Sequence, residues 1–546
     1  MKKLLIFVLF ISFSGLYAQL DRTRPPKAGP APEIKISDYE SFTLSNGLKV
    51  FVVENHKLPS VSFSLTLDVD PIVENQYAGY VSLSGQLLRT GTKTRSKAVL
   101  DEEIDFIGAT LNTSATGIYA SSLKKHTPKL LELMSDIILN AEFRQEELDK
   151  LKKQKISELA AAKDEPDEIA GRVIQTLYYG KGHPYADVET EETIGSITLD
   201  MCRDYYTSYF RPNIAYLAVV GDINKSEAET LLNKYLAAWQ KAEVKKFSYT
   251  APASPSGVKV ALVERSNAVQ STVRVGYPID FRIGDENQIK LTVANTILGG
   301  GVFRLFANLR EKHAFTYGAY SSVAPDRLAG NFTASTEVRN SVTDSAITEI
   351  LYEMKRIREE KVEDKELQKA VNYNTGNFAI ALEKPETIAR FAINIARFNL
   401  PRDFYADYLK NLSSVSASDI QSAAQKYIHP DNTYIIVVGN AKEVADKLKK
   451  FGTLEYYDIY GRKYDPSSSA VPEGKKAQDV IDEYIRQIGG KENISALKDV
   501  VTVIGNNDAR MSLEISVWQK APGKLLQKMQ TPGGTVTIVY DGKQGL

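Results

Sequence analysis

The chain has 546 residues, of which 43% are apolar and 25% are charged, as in an ordinary globular protein. It is too long for one hydrophobic core, so its length predicts about three or four domains. Lys and Arg together number 68, and so do Asp and Glu, which gives a formal net charge of zero. Because the basic residues are scattered rather than clustered, this balance excludes an electrostatically driven nucleic-acid-binding protein. We expect no nucleic-acid partner.

The N-terminus has the three parts of a secretory signal peptide. Basic "MKK" precedes the apolar run "LLIFVLFISF", and small residues end the segment at Ala18. A membrane anchor is the alternative, but the apolar run is shorter than the roughly 20 residues that span a bilayer. We predict a signal peptide at 1–18 and no transmembrane span in the mature chain. The mature protein is then exported to the periplasm, either free there or associated with the outer membrane.

Segments rich in proline or serine divide the chain. Residues 19–38 predict an extended lead-in, and "SYTAPASPSG" and "YDPSSSAVPEGKK" predict linkers further along. The predicted organisation after the signal peptide is a lead-in at 19–38, an N-terminal domain at 39–247, a C-terminal domain at 258–460, a linker at 461–476 and a final module at 477–546.

The two large predicted domains contain matching stretches of sequence. "YFRPNIAYLAVVGDINKSEAETLLNKYL" (209–236) matches "YIHPDNTYIIVVGNAKEVADKLKKF" (427–451), and "LKVFVVE" (48–54) matches "VKVALVE" (258–264). A period of about 200 residues is far too long for a solenoid repeat. The match therefore predicts two homologous domains in one chain.

The order of predicted strands and helices indicates the fold class. Strands with alternating apolar residues are predicted within 42–53 and 61–69. A helix follows in which Leu100, Ile104 and Ile107 share one face. This order predicts an α+β fold: two α/β sandwich domains, each with helices packed on one face of its sheet.

Five motifs in this order resemble one enzyme family. They are "LSNGLKVFVVEN", "GTKTRS", "GKGHPYADVETEETIGSI", "YFRPNIAYLAVVGD" and "LGGGVFRLFANLREKHAFTYGAYSS". Together they resemble the pitrilysin/insulinase-type zinc metallopeptidases, above all the shorter bacterial members that are similar to mitochondrial processing peptidase subunits. The resemblance covers about residues 42–460. It implies one half of a peptidase clamshell, with peptides as substrates.

Active members of that family carry H-x-x-E-H on a helix of the first domain. Its two histidines hold Zn²⁺, its glutamate acts as general base, and a glutamate from a later helix is the third ligand. Anchored on "GTKTRS", the three motif positions fall on Ser82, Gly85 and Gln86, and Glu158 matches the third ligand. No two of the five histidines lie within five residues of each other, so no shift of register restores the motif. We predict that this chain binds no metal or other cofactor.

The second domain retains a pair that active assemblies of the family need. "LREKHAFTY" supplies Arg310 and Tyr317, seven residues apart. The resemblance implies that they bind the substrate backbone and stabilise the oxyanion of the tetrahedral intermediate. The alternative is a surface helix arginine and a packing tyrosine.

The resemblance also implies two substrate-binding regions. Gly299, Gly300 and Gly301 form a glycine-rich turn, in which we expect unusual backbone angles beside the cavity. Within 108–116, Asn112 and Ser114 lie near a sheet edge to which a peptide could add as a further strand. The alternative is an ordinary strand, with the peptide meeting the partner's edge instead.

The final module has a different character from the two repeated domains. An amphipathic helix with Val480, Tyr484 and Ile488 on one face is followed by alternating strands. This pattern is similar to the start of the helix-plus-sheet modules of periplasmic lipoprotein carriers. The sequence stops just after a turn signal, "YDGKQGL", and we expect the module to be truncated.

The leading hypothesis is a non-catalytic peptidase subunit, inactive alone and part of an active heteromeric enzyme. Zinc is then expected on a homologous H-x-x-E-H partner, to which this chain offers Arg310 and Tyr317; a homodimer is the other possible assembly. The alternative is a non-enzymatic peptide-binding or assembly protein of the periplasm. A third hypothesis is an active metallopeptidase with unconventional ligands.

Overall fold

The structure is a computed structural model that describes residues 38–466, 477–505, 514–531 and 534–544. The predicted signal peptide and almost all of the predicted lead-in lie outside these ranges. The chain divides into two compact units after Tyr464. The first unit contains both repeated domains, here called the first half and the second half.

The first half is built on a six-stranded sheet with the order β1-β2-β6-β3-β5-β4. Its strands are β1 Glu40–Thr43, β2 Lys49–Glu54, β3 Ser60–Leu67, β4 Thr110–Ser114, β5 Gly117–Leu123 and β6 Ala215–Gly221. Its helices are α1 Tyr80–Leu87, α2 Lys97–Phe106, α3 Thr127–Asn140, α4 Gln145–Ala161, α5 Pro166–Tyr179, α6 Glu191–Ser196, α7 Leu199–Tyr209 and α8 Lys225–Leu236.

The second half is built on a seven-stranded sheet with the order β13-β12-β7-β11-β8-β10-β9. Its strands are β7 Lys259–Glu264, β8 Gln270–Ile279, β9 Ala319–Ala324, β10 Gly330–Arg339, β11 Tyr434–Gly439, β12 Thr453–Tyr457 and β13 Lys463–Tyr464. Its helices are α9 Gln288–Gly299, α10 Arg304–Phe306, a π-helix Ala307–Lys312, α11 Thr343–Glu359, α12 Asp364–Leu382, α13 Pro385–Phe398, α14 Tyr408–Ser413, α15 Ala417–Tyr427 and α16 Ala441–Leu448.

The two sheets repeat one topology. The order β2-β6-β3-β5-β4 in the first sheet corresponds to β7-β11-β8-β10-β9 in the second. In both, the first pair is parallel and the next pair antiparallel. The matching segments "LKVFVVE" and "VKVALVE" form the equivalent strands β2 and β7. The predicted α+β fold with two homologous sandwiches is confirmed.

Helices cover both faces of each sheet rather than one, which corrects the expectation drawn from the sequence. The second face is covered by a helix from the other half. α13 packs Ile388 and Ala392 on Phe51 and Val220 of the first sheet. In return, α5 packs on the second sheet through the buried cluster Ile169, Ala170, Val173, Tyr178, Ala261, Val263, Tyr434, Ile436 and Val438. The apolar outer residues of the central strands require this cover, so the halves interlock.

One later stretch reaches the length and hydropathy of a membrane span. It is the continuous helical stretch Gln288–Lys312, of which 61% is buried. Its apolar residues, including Leu291, Ile297 and Leu309, belong to the core of the second half. That burial accounts for its hydropathy.

The second unit contains the predicted helix and strands. These are α17 Ala477–Gln487, α18 Gly490–Ala496, β14 Asp499–Gly505, β15 Glu514–Lys520, β16 Lys524–Thr531 and β17 Gly534–Tyr540. The four strands form an antiparallel sheet in chain order. Whether the module is truncated stays a prediction.

Candidate functional site

The helix at the predicted metal-motif positions, α1, begins against a buried carboxylate. The Glu74 carboxylate accepts hydrogen bonds from the backbone N–H groups of Gly79 and Val81, both at 3.0 Å. Gly79 has φ of 104°, a left-handed conformation that glycine adopts without strain. Burial raises the pKa of Glu74 to about 7, although the two backbone donors oppose that rise. A titratable group therefore holds the start of α1.

Ser82 and Gln86 lie one turn apart on α1 and are both partly buried. The Gln86 side-chain amide donates to the Ser82 hydroxyl at 3.4 Å. A neutral hydroxyl and a neutral amide are not the thiolate, imidazole or carboxylate ligands that zinc takes in proteins. These two residues satisfy each other and do not fit a zinc site.

Gly85, between them, is buried against the turn that joins β4 to β5. A Cβ atom at this position would lie 2.1 Å from the backbone nitrogen of Ala115. The Thr113 hydroxyl also donates to the Gly85 carbonyl at 2.8 Å. The hairpin therefore occupies the space that a glutamate side chain would need, and the residues around α1 do not fit the family's metal.

Glu158, at the predicted third-ligand position, is exposed on α4. Its carboxylate accepts from the Gln154 amide at 2.9 Å. It lines a cavity of about 440 Å³ that Glu74 and Glu189 also line. Across residues 38–466, 477–505, 514–531 and 534–544, the structure contains no group of three His, Cys, Asp or Glu placed to hold a metal ion.

The predicted peptide-binding edge is β4, which ends the first sheet. Asn112 and Ser114 are exposed there. The Leu111 carbonyl on the same strand accepts from the Arg89 guanidinium at 3.2 Å. Part of this edge is thus engaged by the chain itself, and the substrate-binding role of Asn112 and Ser114 stays a prediction.

Arg310 and Tyr317 are both presented to solvent. Arg310 is on the π-helix with 47% of its side chain exposed, and its guanidinium lies 4.7 Å from the centre of the Phe306 ring. Tyr317 precedes β9 and is 90% exposed, which excludes the alternative of a packing tyrosine. The Phe306 ring is 6.4 Å from that of Tyr320, and Tyr320 and Tyr317 line a cavity of about 390 Å³. Aromatic rings therefore lie beside both residues: Phe306 beside Arg310, and Tyr320 at the cavity that Tyr317 lines.

The glycine-rich turn differs from the sequence expectation in the reason for its glycines. Unusual backbone angles were expected, but none of Gly299, Gly300 and Gly301 has a positive φ. A Cβ atom on Gly299 would instead lie 2.6 Å from the backbone nitrogen of Ser321 on β9. Close approach of α9 to the edge strand explains that glycine, and a substrate-binding role for the three stays a prediction.

Comparison with known proteins identifies the family. Residues 49–185 match the family description "Insulinase (Peptidase family M16)", and residues 196–374 match "Peptidase M16 inactive domain". The chain belongs to peptidase family M16. The inactive-domain match includes both Arg310 and Tyr317.

Individual M16 relatives extend over most of the chain. An "uncharacterized zinc protease" of Rickettsia felis is 25% identical over 418 residues, covering 73% of this chain and 98% of the relative. Another from Bacillus subtilis is 24% identical over 351 residues, covering 63% and 84%. Among solved structures, a peptidase M16 inactive domain from Pseudomonas fluorescens has a TM-score of 0.68 at 21% identity, covering 74% of this chain and 98% of that one.

The M16 motif "GTKTRS", which set the register of the metal-motif positions in the sequence, also has a structural role. The Asp136 carboxylate, 7% exposed, accepts from Thr92 and Thr94 at 2.7 Å and from Arg95 at 2.8 Å. Burial alone would raise the pKa of Asp136, but these donors outweigh burial and lower it. The motif thus binds Asp136 of α3 in a buried ion-pair cluster.

Sequence reasoning missed the polar surface next to Tyr317. On the outer face of the second sheet, Arg274 lies opposite Ser335, which in turn lies opposite Tyr320. Arg274 pairs with Asp167 of the first half. An arginine between two valines in a strand was the available signal, because alternation places it on the face away from the core.

Proposed function

We propose that this chain is the non-catalytic subunit of an M16 peptidase and works with a homologous chain that carries H-x-x-E-H. The observation that carries the proposal is a contrast within one unit. In the first half, the backbone of the β4–β5 turn packs against Gly85 of the motif helix. The second half instead exposes Arg310 and Tyr317. Zinc and the general base would then belong to the partner.

The retained pair suits the handling of a peptide carbonyl. The Arg310 guanidinium offers several hydrogen-bond donors, and the Tyr317 hydroxyl offers one more. Donors held beside a carbonyl oxygen that gains negative charge stabilise the transition state more than the substrate. We assign both residues to the bound peptide, with Phe306 orienting Arg310 through its ring.

The test mixes the purified chain with an H-x-x-E-H homologue encoded in the same genome and measures hydrolysis of unstructured peptides. We expect activity only in the mixture, and a loss of about a hundredfold to a thousandfold for Arg310→Ala or Tyr317→Phe. Arg282→Ala and Tyr484→Phe, 60% and 64% exposed, are matched controls that should leave the rate unchanged. If neither Arg310→Ala nor Tyr317→Phe changes the rate of hydrolysis, the chain is instead a peptide-binding or assembly protein.

We also propose a periplasmic location, supported by the signal-like sequence of residues 1–18. Mass spectrometry of the mature chain should find Gln19 at the N-terminus, in the periplasmic or outer-membrane fraction. An uncleaved chain in the cytoplasmic fraction would contradict this location without affecting the subunit assignment.

A further inference from the structure

A cavity of about 620 Å³ lies on another side of the π-helix that carries Arg310. Asn308 and Lys312 line it from the π-helix, whereas Arg310 does not. Other walls come from α11 and α12. The cavity is therefore close to the proposed catalytic contacts but has no part in them.

A buried arginine with a free donor forms part of its wall. The Arg304 side chain is 6% exposed, and its Nε and Nη2 atoms donate to the two Glu366 oxygens at 2.8 and 2.7 Å. Its Nη1 atom has no hydrogen-bond partner among the described residues. Buried polar groups are normally paired, so this donor indicates a missing acceptor.

Asn308 provides a free acceptor on the same segment. It is 6% exposed, and its amide nitrogen donates to Glu349 and Glu353, both at 2.9 Å. Within the part of the chain that the structure describes, its Oδ1 atom has no donor. A peptide backbone carries both acceptors and donors, so a bound peptide offers both kinds of partner.

The charge of the cavity selects an acidic ligand. Lys312, Lys365 and Lys369 line it, and none of them forms an ion pair with a residue in the described ranges. Among the acidic lining residues, Glu366 binds Arg304 and Glu353 lies 3.4 Å from Arg356, which leaves Glu363. Lys369 donates to the Val302 carbonyl at 3.1 Å, so its charge is not neutralised there. Three ammonium groups without a carboxylate partner among the described residues thus face one carboxylate without a cationic partner, and the surplus favours an anion.

We propose that this cavity is a specificity site that binds an acidic side chain of the substrate peptide. The inference rests on the proposed function, since it takes the bound peptide to be the substrate. A helix is about 10 Å across, and an extended peptide advances about 3.3 Å per residue. The acidic residue should therefore lie about three residues from the bond that Arg310 contacts.

Binding is measured on the full chain alone, by fluorescence anisotropy with two labelled peptides. One carries a pair of glutamates in an unstructured background, and the other has glutamine in their place. We expect the glutamate peptide to bind about tenfold more tightly, with a preference that weakens as salt is added. Equal affinity for the two peptides would overturn the proposal.

Substitutions locate the preference. The triple change Lys312→Ala, Lys365→Ala and Lys369→Ala should abolish it, while the circular dichroism spectrum stays native because these side chains lie at the surface. The triple change Lys234→Ala, Lys241→Ala and Lys442→Ala alters net charge equally at exposed sites away from the cavity. Equal loss in both triple variants would mean a general charge effect and would refute a specific site.

The outcome is separable from that of the subunit assignment. If the glutamate preference is present but Arg310→Ala has no effect on hydrolysis, the subunit role fails and the acidic-peptide site stands. If hydrolysis requires Arg310 but the preference is absent, the site fails and the subunit role stands.

Discussion

The two halves share a topology but differ in the use of one equivalent helix. Both α1 and α9 place a glycine against the edge of a sheet: Gly85 against Ala115 and Gly299 against Ser321. After α1 the chain enters the buried ion-pair cluster around Asp136, whereas after α9 it enters the π-helix with the exposed Arg310. The first half thus packs this helix into its own core, whereas the second half leads from the equivalent helix to an exposed arginine.

The comparison also shows why loss of the metal motif leaves the fold intact. The interlocking helices α5 and α13 bury apolar residues on the outer faces of the sheets, in clusters that contain none of Ser82, Gly85 and Gln86. Ser82, Gly85 and Gln86 contribute one hydrogen bond between side chains, one hydrogen bond from Thr113 to the Gly85 carbonyl and one close backbone contact. Stability and metal chemistry therefore depend on different residues, and one can change without the other.

Restoring the motif gives the largest expected effect and tests this difference between the halves. The triple change Ser82→His, Gly85→Glu and Gln86→His should bind no stoichiometric zinc, because a side chain at residue 85 collides with Ala115. We expect it to cost about 3 kcal/mol or more of unfolding free energy through overpacking. Metal analysis and urea unfolding check both parts.

The control is the double change Ser82→His and Gln86→His, which keeps Gly85. It should fold with nearly normal stability because both side chains are only partly buried. Tight stoichiometric zinc in the triple variant would show that the β4–β5 hairpin can move aside. The first half would then still have room for a metal site and would lack only its ligands.

Much of this architecture could be predicted from the sequence, because it repeats. Duplicated strands such as "LKVFVVE" and "VKVALVE" reveal the two domains because their sequences match. The segment "GTKTRS" set the register that places the first metal-motif position at Ser82. The contact of Gly85 with Ala115 could not be predicted, because the two residues are 30 positions apart and meet only in the tertiary structure. Such a contact leaves no periodic pattern in the sequence. The same holds for Arg304, whose burial depends on Glu366 in another helix.

Exchange of helices between the halves could not be predicted either, and it provides a second test. Ile388→Ala in α13 removes a buried side chain from the outer face of the first sheet and should cost about 3 kcal/mol. Although Ile388 belongs to the second half, hydrogen exchange should accelerate in β2 and β6 of the first. Ile350→Ala in α11 is the matched control, because Ile350 packs in the core of its own half. If both variants accelerate exchange in the same strands, the halves are one cooperative unit and the distinction between them disappears energetically.

The smallest effect concerns Glu74, which gives the start of α1 a pH dependence. Its folded pKa of about 7 exceeds the ordinary value of 4.5, so the protonated form is favoured by folding. The resulting stability is fully present below pH 4.5 and is lost as the pH rises through 7. Allowing for partial exposure, this amounts to on the order of 2 kcal/mol. Glu74→Gln should remove that slope, so wild type and variant should diverge between pH 5 and pH 8 in urea unfolding. Parallel curves would mean that the carboxylate stays solvated and that its protonation does not affect the start of α1.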